Sequence, residues 1–585
     1  MFVPRFTVAG LLSLALSITS VTIAAERPTS SKLLPKATAA CLRIADAPGL
    51  AKDLKKTALG RILQDPKMKP LVGQLWGTVA KELSRFEERL GVTTDEMLSI
   101  PQGEAVLALV TPEDEAPVLV AILDCGSGMP AMQKLIDRGV KAMEKRGSKA
   151  SSEKHADTEI KIYLAAGRRQ RQLAFFVKDN TLVVGSKAQV LKNLLDVWNG
   201  GDAKTLSANE RYAAIMKHCR GAKNEKPQIS WFVDPVSIAK SAASQSPRAQ
   251  IGLALLPTLG LDGFHGLGGT VALATSKYDA VTHTHMLLEK PRRGIVEMLA
   301  LKSGDVTPEA WVPGDVANYA TIHWDVKTTY EKLGKMIDSF QGEGALAKRV
   351  KRDISDRLEL DFEKDLLAAS TGRFTYFSRF DHKSKTPAQG HMLAIHMQDG
   401  KAFKKTMTKL LKRADSRMKK KSYAGEKYYY FTGKLPRREV GDDPAQRPSV
   451  CLLGDVVLLS NRGSLIEVSI RTSKDSSKSL AQSLDYKLIA GKAKPRSGSK
   501  PVMFSFNRPE EGLRFAYNLV SSERVRTRLA DGAKRNNFFK GVNQALKENP
   551  LPPFKVLSRY VAPGGSVLSD EETGLHYMTF TLKRE

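Results

Sequence analysis

Leu33-Leu34-Pro35, followed by an apolar run through Ile44, returns later in the chain as Trp311-Val312-Pro313, followed by a run through Ile322. Further pairs recur in the same order: Leu98 and Gly103 with Leu367 and Gly372, Leu206 and Tyr212 with Leu480 and Tyr486, Pro235 with Pro509. A repeat of about 270 residues is far too long for a solenoid unit and has the length of a domain. The expected organisation is therefore a signal peptide over residues 1–25, repeat domain A over 26–300 and repeat domain B over 301–585.

Outward from the two openings, both copies run through the same kinds of segment. Strands are expected at 39–44 and 318–323, then helices with apolar residues three or four apart. In the first copy Leu54, Leu59, Ile62 and Leu63 are expected on one helical face, followed by Trp76, Val79, Leu83, Phe86 and Leu90. In the second the stripe is Met336, Ile337 and Phe340. Acidic turns at Asp95 and Asp361 precede short helices that end at Gly103 and Gly372, and strand pairs follow.

A basic amphipathic helix comes next. Its apolar positions are Met132, Leu135, Ile136, Val140 and Met143 in one copy, and Phe403, Met407, Leu410, Leu411, Ala414 and Met418 in the other. Lys161, Tyr163 and Gly167 then keep the spacing of Lys427, Tyr429 and Gly433. Hairpins are expected around Lys178-Asp179-Asn180 and Gly454-Asp455, where turn residues separate apolar runs. Each copy closes on glycine pairs, Gly268-Gly269 and Gly564-Gly565, ahead of its last strands. Hairpins interleaved with helices predict an α+β fold: two tandem homologous domains, each a mainly antiparallel sheet with helices packed on one face.

The first residues read as a targeting segment. Arg5 is the only charge before Glu26, residues 8–21 are apolar, and small residues at Thr22, Ala24 and Ala25 suit a signal peptidase. About fourteen apolar residues are short for a membrane span, and no later run reaches the ~18 required. Export to the periplasm or beyond is expected, with cleavage near Ala24 or Ala25. Cys41, Cys125, Cys219 and Cys451 are too few for a disulfide scaffold. Most are expected to be buried small apolar side chains, with one bridge within a copy left open.

The openings at Leu34-Pro35 and Val312-Pro313, the Asp95 and Asp361 turns, and Gly260-Leu261-Asp262-Gly263 with Gly268-Gly269 resemble an uncharacterised family of exported bacterial proteins, defined only as a domain of unknown function. The resemblance implies an envelope location. It implies no activity, ligand or catalytic residue.

Chemical motifs are scarce. The sequence holds no His-Glu-x-x-His, no Gly-x-Ser-x-Gly and no phosphate-cradling glycine loop. The glycines from Gly260 to Gly269 are expected in tight turns between strands. His283 and His285, two apart on a strand, project on one face but lack an evident third ligand, because Tyr577 and Thr579 stand at the matching place. Cys125-Gly126-Ser127-Gly128 has nothing nearby to activate a thiol. Neither a metal, a cofactor nor a catalytic residue is assigned.

Charge is the one strong functional signal. The chain has 91 Lys and Arg against 62 Asp and Glu, a formal +29. Between Lys401 and Arg438 there are fourteen basic residues, opposed only by Asp415 and Glu426. The candidate polyanion-binding residues are Lys404, Lys405, Lys409, Lys412, Arg413, Arg417, Lys419, Lys420, Lys421, Lys427 and Tyr429; the first copy carries a milder set that includes Arg168, Arg169 and Arg171. Partners of matching chemistry are acidic polysaccharide or anionic lipid head groups, with no specific nucleic acid expected. The expected function is a non-enzymatic binding or structural protein of the envelope; the alternatives are a periplasmic carrier of an apolar ligand, or a hydrolase with no recognisable motif.

Overall fold

A computed structural model describes residues 27–584, apart from 114, 168–170, 223–224, 245–246, 255, 258, 382–387, 414–416, 435–442 and 494–499. The expected signal peptide lies outside the described residues. So do Arg168, Arg169, Ala414, Arg437 and Arg438.

The first half contributes β1 (Thr38–Ile44), β2 (Ala105–Val110), β3 (Val118–Asp124), β4 (Lys149–His155), β5 (Thr158–Leu164), β6 (Gln172–Lys178), β7 (Thr181–Gly185), β8 (Ile229–Val233), β9 (Phe264–Leu273) and β10 (Tyr278–Leu288). The second contributes β11 (Asn318–His323), β12 (Ser370–Asp381), β13 (Ala388–Met397), β14 (Met418–Tyr423), β15 (Glu426–Phe431), β16 (Ser449–Leu453), β17 (Val456–Ser460), β18 (Pro501–Asn507), β19 (Gly564–Glu571) and β20 (Gly574–Leu582). All pair antiparallel in one continuous sheet. Its order is β4-β5-β6-β7-β3-β2-β1-β8-β9-β10, then β20-β19-β18-β11-β12-β13-β17-β16-β15-β14. The second half repeats the order of the first in reverse, and the halves meet edge to edge at β10 and β20.

Local chemistry sets the elements. Ala156-Asp157 and Asp179-Asn180 take positive φ in the β4–β5 and β6–β7 turns, as two-residue hairpins of right-twisted strands require. Thr93 and Glu96 form a reciprocal capping box, and Asp361 accepts from the amides of Glu363 and Lys364. These caps account for the acidic turns.

The helices that matter here are α1 (Lys69–Leu90), α2 (Met129–Lys145), α3 (Ala188–Trp198), α4 (Glu210–His218), α5 (Gly400–Arg413), α6 (Gly463–Lys474), α7 (Leu484–Lys492), α8 (Pro509–Ser521) and α9 (Asn537–Glu548). They cover both faces of the sheet, not one. Ile160, Ile162, Ala174 and Phe176 pack under α3, while the alternate residues Tyr163 and Phe175 pack under α2. In the second half Cys451 and Leu458 lie under α6, and Val450 and Val457 under α5. Consecutive buried residues such as Ala174, Phe175 and Phe176 are the mark of a strand covered on both sides.

Three further expectations change. Leu54, Leu59 and Leu63 are exposed, and of that stripe only Ile62 is buried, because the helix breaks at Thr57. The glycines of β9 and β19 do not make turns. A Cβ on Gly268 would lie 2.7 Å from Ile215 of α4, and one on Gly565 2.4 Å from Ile489 of α7, so both let a helix approach the strand. Gly565→Ala is expected to destabilise the fold by about 1–3 kcal/mol in urea unfolding, through overpacking. Finally, Lys161 and Tyr429 hold the same place in the ladder, opposite Phe175 and Val450, so the Lys-Tyr-Gly match is out of register by two residues.

A helical cluster joins the halves a second time. Leu71 of α1 is buried with Ala545 of α9 and Leu557, and Leu513 and Tyr517 of α8 pack against them. Beside it the buried Asp65 accepts from the Tyr560 hydroxyl at 2.7 Å and pairs with Arg559. All four cysteines are buried and none is in a disulfide. Burial pushes the thiols of Cys41 and Cys451 up to about 12.

Candidate functional site

The basic region folds into three elements. Helix α5 ends at Arg413; Met418 begins β14, and Lys419, Lys420 and Lys421 lie on that strand. The expected helix through Met418 is therefore too long. Among the described residues β14 pairs only with β15, so it is one outer edge of the sheet. Lysine there blunts the exposed ladder against pairing with another chain. The three lysines also divide between faces. Lys420 stands opposite Tyr429, whose ring faces α5, while Lys419 and Lys421 stand opposite Tyr430 and Tyr428 on the other side. Lys421 donates to Glu467 at 2.8 Å and lies 5.8 Å from the Tyr428 ring centroid. It belongs to a local network.

Helix α5 forms because Asp399 caps it, accepting from the amides of Lys401 and Ala402, and because Phe403, Met407, Leu410 and Leu411 share one face. That face does not fill the space above the sheet. Between them lies a cavity of about 430 Å³. Its floor is Phe374, Ile395, Val450, Val457 and Leu459; its roof is Phe403, Met407, Leu410 and Leu411; Val326, Leu366 and Leu367 close one side and Met418 another. Ser370 is the one polar side chain among the described lining residues. A volume in this range suits a small apolar ligand or an alkyl chain.

Two openings adjoin the cavity. Met418, Val450 and Leu459 also border a groove of about 550 Å³ along the sheet, with Tyr376 and Leu393, whose rings and methyls are partly exposed. On the opposite flank of α5, Met407 and Leu411 border a mouth of about 370 Å³ that carries Lys401, Lys404, Lys427 and Tyr429, with Glu426 as its one acidic group. The helix thus separates a cationic mouth from an apolar interior by a single turn of side chains.

The candidate residues distribute unevenly around this cleft. Lys404, Lys427 and Tyr429 meet at the mouth, and Lys420 stands beside Tyr429 on the same face. Lys405 and Lys412 are exposed on α5 away from the cavity, and Arg417 is exposed just before β14. Lys409 faces another depression with Asp356, Glu359, Asp361, Glu363 and Asp365, and Arg413 pairs with Glu359. Acidic neighbours offset these last two cations. The candidate residues omit Lys401, a mouth residue, and Phe403, Met407, Leu410, Leu411 and Met418 read from the sequence as an apolar helix face, not as the wall of a cavity. The wall's signal was present, because β12, β13, β16 and β17 are apolar on alternate residues that the opposite core does not need.

Comparison with models of known protein families, with curated proteins and with solved structures finds no match for this chain. The site is therefore read from its chemistry. Among the described residues lining the cavity there is no carboxylate, imidazole or thiol, so the cavity offers shelter to an apolar group and no acid–base pair.

Proposed function

We propose that this protein is an exported, non-enzymatic binder of amphiphiles, holding an alkyl chain under α5 and an anionic head group at Lys401, Lys404 and Lys427. The observation that carries the reading is the adjacency of a 430 Å³ apolar cavity to a mouth bearing three lysines. It unites the two binding expectations: the basic segment supplies charge and the space beneath it supplies apolar burial. Burial of each methylene contributes about 0.8 kcal/mol, and each lysine near an anionic lipid surface about 1 kcal/mol.

Dodecyl phosphate is a suitable probe. Isothermal titration at low salt is expected to give saturable binding. Met407→Trp, which fills the cavity, is expected to weaken it at least about tenfold, the equivalent of ~1.4 kcal/mol. Lys404→Glu with Lys427→Glu is expected to weaken it and to flatten its salt dependence. Lys419→Glu with Lys421→Glu, on the other face, is expected to leave it unchanged. Binding that ignores the cavity substitution, or none with the wild type, overturns the reading.

The repeated architecture belongs to the same proposal: the chain is two homologous domains fused by duplication. Support comes from the ladders. Cys41, Phe232, Gly268 and His285 pair in succession, as do Tyr319, Phe506, Gly565 and Phe580. His285 and Phe580 are thus equivalent. At the seam His285 faces His576 and Val281 faces Phe580. Each strand reads the other in the same register, with the His283–Met578 pair at the centre.

A further inference from the structure

We propose that His218, His285 and Glu571 form a binding site for one divalent transition-metal ion of the zinc class at the seam between the halves. One ligand atom from each lies within 4.8 Å of the other two. His218 ends α4, His285 lies on β10, and Glu571 ends β19, so two ligands come from the first half and one from the second.

Three observations bring these groups together. The imidazoles of His218 and His285 are stacked, 4.2 Å between centroids and 7° between planes. The Thr573 hydroxyl holds the Nε2 atoms of both, at 3.0 Å and 3.2 Å, which leaves both Nδ1 atoms on the other edge. There His218 Nδ1 lies 3.2 Å from Glu571 Oε2, while His285 Nδ1, on a fully buried residue, has no hydrogen-bond partner. A buried imidazole nitrogen left unbonded is costly, and a metal ion would satisfy it. Thr573 supplies the outer hydrogen bonds that orient metal-bound histidines.

The donor set is two nitrogens and one carboxylate oxygen, which suits zinc and its neighbours and not magnesium or calcium. Bonds of about 2.0–2.2 Å in a tetrahedron place ligands roughly 3.3–3.5 Å apart. The stacked rings must therefore tilt together on binding. His218 and Glu571 retain some exposure and give the ion an entry path. Three protein ligands leave a fourth position for water.

The sequence assigns no metal to His283 and His285, and of the two only His285 is a ligand here. His283 instead contacts Glu225 at 3.2 Å and His576 at 3.3 Å.

The test uses the full chain, stripped with a chelator and titrated with Zn²⁺ or Co²⁺. One equivalent is expected to bind, Co²⁺ with the visible absorption of a tetrahedral site, and Zn²⁺ to raise the melting temperature by several degrees. His218→Asn and Glu571→Gln, at partly exposed positions, are expected to abolish both effects while leaving the metal-free melting temperature near the wild type's. His155→Asn, at a histidine paired with Asp196 elsewhere, is expected to change nothing. Mg²⁺ is expected to be without effect. Substoichiometric binding by the wild type overturns the assignment, as does binding that survives His218→Asn and Glu571→Gln.

Discussion

Glu309→Ala is expected to destabilise the protein by about 3–5 kcal/mol, a loss of the size found when one partner of a buried ion pair is removed. Glu309 is nearly buried and sits where four basic or hydroxyl groups converge, the Tyr319 hydroxyl donating to its Oε2 at 3.4 Å. His396 Nε2 and the Thr375 hydroxyl each lie 2.7 Å from its Oε1, and Arg373 lies 3.2 Å away. Arg373 is itself only 14% exposed. Without the carboxylate, that guanidinium is left in a low-dielectric setting with Asp305 at 3.8 Å as its remaining acid. Burial raises the Glu309 carboxyl, but the His396 hydrogen bond and the Arg373 charge outweigh it and hold the group below its ordinary 4.5. A depressed carboxyl contributes stability that is present above its unfolded value and disappears as pH falls through the folded one. Urea unfolding of the wild type is therefore expected to weaken with acidification below about pH 4.5. Glu309→Gln is expected to flatten that dependence. A Glu309→Ala protein within 1 kcal/mol of the wild type would show that the cluster contributes little.

The first half solves the same place with opposite charge. Glu104, buried at the head of β2, receives Arg43, Arg27 and Ser30. By pairing, Glu104 holds the position of Arg373, and Arg43 that of Thr321. An acid in one half and a base in the other keep a charged centre at the start of the second strand. Sequence comparison alone passes over this, because the identities do not match.

What could be read in the chain, and what could not, follows the range of the interactions. Most strands and the β6–β7 and β16–β17 hairpins were legible because apolar runs and turn residues such as Asp179-Asn180 are local, but the edge strands β4 and β14 were not, because their residues are mostly polar. The face each helix covers was not, since Leu42, Leu107 and Leu119 are as apolar as their buried neighbours yet about half exposed. The lysines of 419–421 looked helical because a charge run carries no period. The cavity under α5 depends on residues from β12 through β17 and the 366–367 segment. His218, His285 and Glu571 are gathered from a helix end, a central strand and a strand end, with Glu571 nearly three hundred residues beyond His285. The ladder register supplies the link: aligning β10 with β20 places His576 against His285.

That register also leads to the largest expected change in behaviour. Residues 27–300 produced alone would expose the whole edge of β10, a long strand with unpaired amides and carbonyls. If β20 is a diverged copy of β10, the edge is complementary to itself. The fragment is then expected to form a twofold dimer through β10, with His283 opposite its own copy. Sedimentation should report twice the fragment mass. Thr284→Pro, in the middle of β10, is expected to abolish the dimer, because proline removes a ladder donor and crowds the strand. In the full chain Thr284 pairs with Gly269 and Tyr577 on either side, so the same substitution is expected to cost about 3 kcal/mol or more. Helix α1 sharpens the test: its buried Leu71 normally meets α9 of the second half. Mixing separately produced 27–300 and 301–584 should therefore draw the fragment from its dimer into a one-to-one complex. A fragment that stays a folded monomer, and fails to take up its other half, would remove the case for a fused dimer.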